Sequence, residues 1–204
     1  AQFAYLTKML YFFVLLACVG SSVAQSCSPC YCSNVTTVPF TAEKLGNWKE
    51  VIAQAASISY QGIGINSICL KFEKTTDAAS LLQTTVVSFD SDNFFQVVSI
   101  ETGVSDGILY GVGPSGVYSN ETAGVLSATD YVIGEPCPGA IVIYRCFRVG
   151  QACDNLTVFV FSKKRIECQE CIDKGIAIAQ NAFPGLELFV FPRNVTDPCR
   201  TGKY

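Results

Sequence analysis

No histidine occurs among the 204 residues. That removes a haem ligated by histidine, a Ser-His-Asp triad and a histidine general base. Mixed Cys/His zinc sites go with it, and an all-cysteine site would need four thiolates kept from oxidation, so no metal centre is expected. Charge is scarce too: Asp, Glu, Lys and Arg make up 15% of the chain, against 50% apolar residues. With 17 acidic and 14 basic residues the net charge is −3. No basic patch suggests nucleic acid, and the acidic balance argues against anionic membranes. Glu101, Asp106 and Glu135 stand singly near turns, so no acid–base constellation forms and no catalytic residue is assigned. The chain reads as a non-enzyme. So large an apolar share still has to be buried, in a lined cavity or against a partner subunit.

The unbroken apolar run from Leu10 to Val19 follows Lys8 and Met9. Ser22-Val23-Ala24 then places small residues where a signal peptidase needs them. The run is too short and wrongly flanked for a membrane span, and reads as a secretory leader. Residues 1–24 are therefore expected to be upstream residues plus signal peptide, with 25–204 as one mature domain in the extracellular space. Losing Lys8 moves the net charge from −3 to −4. Of eleven cysteines, Cys18 leaves with the leader. Cys27, Cys30, Cys32, Cys69, Cys137, Cys146, Cys153, Cys168, Cys171 and Cys199 remain, an even set that implies disulfides with no thiol obliged to stay free. Four Asn-x-Thr acceptors, at Asn34, Asn120, Asn155 and Asn194, fit a secreted glycoprotein.

Short strand signals punctuated by turns fill the middle of the chain. They cover a segment starting at Trp48, then 66–74, 81–89, 94–102, 106–112, 124–133, 140–149 and 156–162. Such a set could close into an eight-stranded antiparallel barrel holding one small ligand, or form a sandwich; spacing alone does not choose. Trp48, the one tryptophan, could be a core residue at a strand start or a plug for one barrel end. The period then changes: over 167–183 Cys171, Ile172, Gly175, Ile176, Ala179 and Phe183 share a helical face, and Pro184-Gly185 stops it. A last strand is expected over 186–192.

These residues carry a family resemblance. Leu45-Gly46-Asn47-Trp48-Lys49-Glu50-Val51 resembles the first lipocalin motif, and Ala128-Thr129-Asp130-Tyr131 with 140–146 is similar to the second and its next strand. Phe159-Val160-Phe161-Ser162-Lys163 stands where the third would, and the branch resembled most is that of apolipoprotein D and crustacyanin. The resemblance implies an eight-stranded up-and-down barrel with one C-terminal helix and a short final strand. It also implies a barrel-end group of Gly46, Trp48, Thr129, Asp130, Tyr131 and Lys163 or Arg165, either cation covering the indole. Disulfides implied by it join Cys69 to Cys199, and Cys32 (or Cys30) to Cys146, each stabilising by roughly 3–5 kcal/mol through the unfolded chain. Relatives also link the helix to the barrel.

Ligand-lining candidates are the strand aromatics Phe72, Phe89, Phe95, Tyr110, Phe147, Phe159 and Phe161. Each could equally pack against the helix or its neighbours. Arg145 would pair with an acidic or keto-bearing ligand if it faces inward, or be an ordinary solvated charge if outward; a register shift of one residue decides. The expected function is a secreted carrier of a hydrophobic small molecule, such as a carotenoid, bilin, retinoid, sterol or fatty acid, which with a carotenoid or bilin as cargo would be a pigment protein. No cofactor is required beyond such a ligand. The alternatives are a structural or storage glycoprotein that self-associates as a homo- or hetero-oligomer, and an isomerase, which would need a thiol inside the barrel.

Overall fold

The computed structural model describes residues 32–57, 64–89, 94–114, 125–149, 152–193 and Cys199. At 89, 94–102, 112–114, 125–128, 147–149 and 152–156 the description is of the backbone. The leader over 1–24, Cys27, Cys30, Asn120 and Asn194 lie outside the described residues.

A short helix, α1 (Ala42–Trp48), precedes eight antiparallel strands. They are β1 (Glu50–Ser57), β2 (Ile65–Lys74), β3 (Ser80–Phe89), β4 (Phe94–Ser105), β5 (Ile108–Pro114), β6 (Val125–Gly134), β7 (Ala140–Val149) and β8 (Ala152–Ser162). Helix α2 (Gln169–Ala182) and the short strand β9 (Leu188–Val190) follow. Each strand from β2 to β8 pairs with the next, and β1 pairs with both β8 and β2, so the sheet closes into a barrel. No sandwich forms.

Trp48 begins no strand; it is the last residue of α1, where Lys49 turns the chain at φ 65° into β1. The Thr41 hydroxyl accepts from the Lys44 N–H to cap the helix, and Phe40, Ala42 and Leu45 bury themselves in the interior core. The approach to α1 crosses this barrel end: Val38 N–H donates to the Val132 carbonyl, and Gly107 N–H to that of Phe40. β5 starts at Ile108, two residues later than the alternation suggests, because Asp106 (φ 49°) and Gly107 (φ 78°) form the tight β4–β5 turn. A side chain at Gly107 would also strike the Val38 carbonyl.

Two apolar layers result. Inside the barrel lie Val51, Leu70, Leu81, Leu109, Ile141, Ile143, Phe159 and Phe161, among others. Outside β6–β8, Val142, Tyr144, Val158 and Val160 meet Ile172 and Ala179 of α2. Cys171, Ile172, Gly175 and Ala179 are the buried helix positions, as the 3.6-residue period requires. The disulfide Cys137–Cys171 ties α2 to the β6–β7 connection, Cα atoms 5.8 Å apart. Cys32–Cys146 anchors the N-terminal segment to β7, and Cys69–Cys199 holds the C-terminal segment to β2. Cys168 carries an exposed free thiol, a departure from a fully paired set. No helix among the described residues is long and apolar enough to cross a membrane.

The β8–α2 connection is fixed by a β-bulge. Between Ala53 and Ala55 the β1–β8 register slips, and Gln54 leaves the alternation. Its amide accepts from the Glu167 N–H at 3.1 Å and donates to the Lys164 carbonyl at 3.0 Å. Burial of the Glu167 carboxyl pushes its pKa up, but the Cys168 N–H, the Ser162 hydroxyl and Lys164 outweigh this and hold it below the ordinary value of 4.5.

Two outcomes follow from this packing. A Cβ at Gly175 would lie 2.7 Å from Val160 Cγ1, whereas one at Gly103 meets nothing within 4 Å. Gly175→Val should therefore cost about 2 kcal/mol or more in urea unfolding of the oxidised protein, and Gly103→Ala should stay within about 0.5 kcal/mol. For Glu167, a depressed folded pKa supplies stability that is present above 4.5 and lost as pH falls through the folded value. Glu167→Gln should cost about 1–3 kcal/mol at neutral pH and flatten the acid limb of a stability–pH curve.

Candidate functional site

Strand alternation assigns the inner wall. On β3, Leu81 and Val87 belong to the interior core, so Gln83 and Thr85 share their face, while Leu82 and Val86 point outward. On β7, Ile141, Ile143 and Arg145 face in, and Val142, Tyr144 and Cys146 face out beneath α2. The register places Arg145 opposite Asp130 of β6 and opposite Thr157 of β8.

Asp130 and Arg145 form a bidentate ion pair in this wall. Arg145 Nε donates to Asp130 Oδ1 and Nη2 to Oδ2, both at 2.6 Å, with both side chains buried. The guanidinium carbon lies 5.7 Å from the centroid of the Phe159 ring. Facing apolar neighbours on β3, Gln83 is only 5% exposed, and its amide has no hydrogen-bond partner among the described residues. A buried primary amide offers two donors and an acceptor, and leaving them unmade costs about 1–3 kcal/mol. The inner wall is thus mostly apolar, and among its few polar groups, which include Thr85 and Thr157, one pair is internally neutralised and one amide is unsatisfied.

The lining candidates separate accordingly. Phe72, Phe159 and Phe161 face the interior, where Phe159 and Phe161 pack on each other at 5.2 Å between centroids. Tyr110 is corrected: Leu109 takes the inward face of β5, so Tyr110 points outward and is 53% exposed. Phe89 pairs in register with Ile65, Phe95 with Val87, and Phe147 with Ala128 and Asp154; their side chains lie outside the description.

The barrel-end group also divides. Gly46 is buried in α1, where a Cβ would crowd Leu81 and Lys74 at 3.2 Å. Lys163 Nζ stands 5.8 Å from the Trp48 ring centroid and Lys44 Nζ 6.0 Å, so Lys163 rather than Arg165 is the cation from that segment placed over the indole. Arg165 offers its carbonyl to Gln54. Thr129, Asp130 and Tyr131 lie opposite the start of β5 and face different ways. Thr129 is half-buried opposite Cys146; Asp130 turns inward to Arg145; Tyr131 stacks outside on Tyr144 at 5.4 Å. Among the glycosylation candidates Asn34 is exposed, and Asn155 lies on β8. Among the described residues no cluster of three His, Cys, Asp or Glu side chains could hold a metal.

Two participants escaped the sequence reading. Asp130 was legible as part of a motif but not as the partner of Arg145, because only the β6–β7 register pairs them. Gln83 had a signal in the alternation of Leu81, Gln83, Thr85 and Val87. Removing one partner of the ion pair should be worse than removing both. Asp130→Ala is expected to cost about 3–5 kcal/mol in chemical unfolding, and Asp130→Leu with Arg145→Met distinctly less.

No family model matches the chain, and no curated protein matches it in sequence. Solved structures do match it. Lipocalin 12 from rat epididymis is 16% identical, covering 86% of this chain and 95% of that one with a TM-score of 0.53. The siderocalin Ex-FABP, described as functioning through dual ligand specificities, is 8% identical, covering 71% and 88% with a TM-score of 0.52. Lobster apocrustacyanin A1 aligns at 11% identity over 76% and 83%, with a TM-score of 0.47. At these identities the likeness is one of architecture: a closed eight-stranded antiparallel barrel with a C-terminal helix and one further strand, the lipocalin fold.

Proposed function

We propose that this chain is a secreted lipocalin that carries a hydrophobic small molecule inside its barrel. The observation that carries the reading is the container itself: a closed sheet, plugged at one end by Phe40 and α1, with an apolar inner wall. Binding would desolvate the ligand against that wall, with the few interior polar groups fixing its orientation. The three disulfides among the described residues and the leader-like start support an extracellular mature domain over 25–204, glycosylated at some or all of its four acceptors. Placement in the apolipoprotein D and crustacyanin branch, and a carotenoid or bilin cargo with a pigment role, rest on the motif resemblance.

Among the described residues the free thiol is that of Cys168, at the start of α2 and outside the barrel, which favours a carrier over an enzyme. A thiol-dependent isomerase would need it within. One observation favours the structural or storage reading: Tyr110 and Leu82 are exposed on the outer face of β5 and β3, where a second subunit could cover them.

The deciding experiment is an absorption spectrum and a solvent extract, analysed by mass spectrometry, of protein from its native source. A stoichiometric lipid or chromophore is expected. Protein without extractable ligand, which also fails to take up retinoids or carotenoids on titration, would overturn the carrier reading in favour of self-association.

A further inference from the structure

The Asp130–Arg145 pair and Gln83 together constrain what the barrel accepts, provided the carrier reading holds. A lone inward arginine would attract a carboxylate, as in a site built for fatty acids. Arg145 does not stand alone, because Asp130 engages its Nε and Nη2 edge in two hydrogen bonds of 2.6 Å. A ligand carboxylate arriving beside this pair would compete with Asp130 for the guanidinium and leave one anion buried without a countercharge. Among the described residues no third charged side chain lies in the inner wall to compensate; Glu167, the other buried charged group, is held by Ser162 and Lys164 beside the start of α2. Gln83 points to the opposite preference. It is an amide nineteen-twentieths buried, turned inward between Leu81 and Val87, with no hydrogen-bond partner among the described residues. A hydroxyl or carbonyl oxygen on a ligand satisfies it without introducing charge.

We infer that the interior selects an uncharged, hydrogen-bonding apolar ligand, a long-chain or polyene alcohol, ketone or ester, over the carboxylate of the same skeleton. Gln83 is the polar anchor, and Asp130 is the specificity residue that denies Arg145 to anions. A site lined by hydrogen-bonding groups discriminates against a ligand that leaves them unpaired.

The test uses the oxidised full-length mature protein and displacement of the uncharged fluorescent probe N-phenyl-1-naphthylamine by all-trans retinol and all-trans retinoic acid at neutral pH. These share a skeleton and differ in the end group. Retinol is expected to bind at least about tenfold tighter in the wild type, in keeping with the cost of burying an unpaired charge. Gln83→Leu, which keeps the core apolar and close-packed, should weaken retinol by about three- to tenfold and leave retinoic acid unchanged. Asp130→Asn should reverse the order by releasing Arg145 to the carboxylate. Equal or tighter binding of retinoic acid by the wild type, or a Gln83→Leu protein with unaltered retinol affinity, overturns the inference while leaving the carrier reading standing. If the wild type takes up neither the probe nor either retinoid, the carrier reading fails and the inference falls with it. The wild-type and Gln83→Leu comparisons decide the matter even if Asp130→Asn does not fold.

Discussion

The closed sheet depends on one strand with two loyalties. β1 pairs along β8 on one side, but on the other it holds β2 through only Glu50, Val51 and Ile52, opposite Lys71, Leu70 and Cys69. Past the bulge at Gln54 the free edge of β1 is taken by β9, with Ala55, Ala56 and Ser57 opposite Val190, Phe189 and Leu188. A barrel closed by so short a ladder would expose an edge where β1 and β2 diverge, and unpaired edges invite pairing with other chains. The strand after α2 covers that edge. The Cys69–Cys199 bridge reaches the last β1–β2 pair from the chain beyond β9, with Ile52 and Val86 packed around it. Helix, final strand and disulfide are therefore parts of the barrel's closure. They are what lets the sheet be a container.

The bulge at Gln54 serves the same end by a second route. Once released from the alternation, its side chain ties the backbone of 164–167 to β1, which fixes where α2 starts. Gly175 then lets the helix sit against Val160, and Gly134 admits Ile178 at the end of β6. Small residues at these two points set the helix–sheet distance, because a methyl at either would meet branched side chains that have little room to yield. The helix is thus held by a polar clamp at its start, by the Cys137–Cys171 bridge one turn on, and by close packing along its length.

What could be read in the sequence follows from how local each cause is. The strands β2 to β8 and the buried face of α2 were legible because hydrophobic periodicity is a property of a few neighbouring residues. Helix α1 was not. Ala42–Trp48 is a seven-residue helix containing Gly46 and Asn47, too short to be stable alone, and it forms because Phe40, Ala42 and Leu45 fill the barrel end. Arg145 could be named but not oriented, since facing is decided by register, and bulges flank it at Val132/Gly134 and Arg145/Phe147. Tyr110 was misplaced for the same reason: nothing in Ile108-Leu109-Tyr110 says which residue the pleat turns inward until β5 is paired. The Asp106-Gly107 turn was missed as well: both residues accept positive φ, yet the apolar alternation that follows them drew the strand two residues too early.

The buried ion pair resists a purely structural account. Two charges taken out of water are costly, and their attraction roughly offsets that cost; an apolar pair of similar volume in the same wall would be about as stable or more so. The neighbouring inward positions Ile141, Ile143 and Val132 show that this wall accommodates aliphatic side chains without difficulty. Stability alone therefore gives no reason for Asp130 and Arg145 to be there. Under the proposed carrier reading, polarity directed at a ligand in the barrel would supply one. The same holds for Gln83, which would stabilise the empty fold better as leucine. Both features weaken the empty fold slightly, and under the proposed carrier reading they would give it chemical selectivity, since local rules tend to be broken where a protein's function lies.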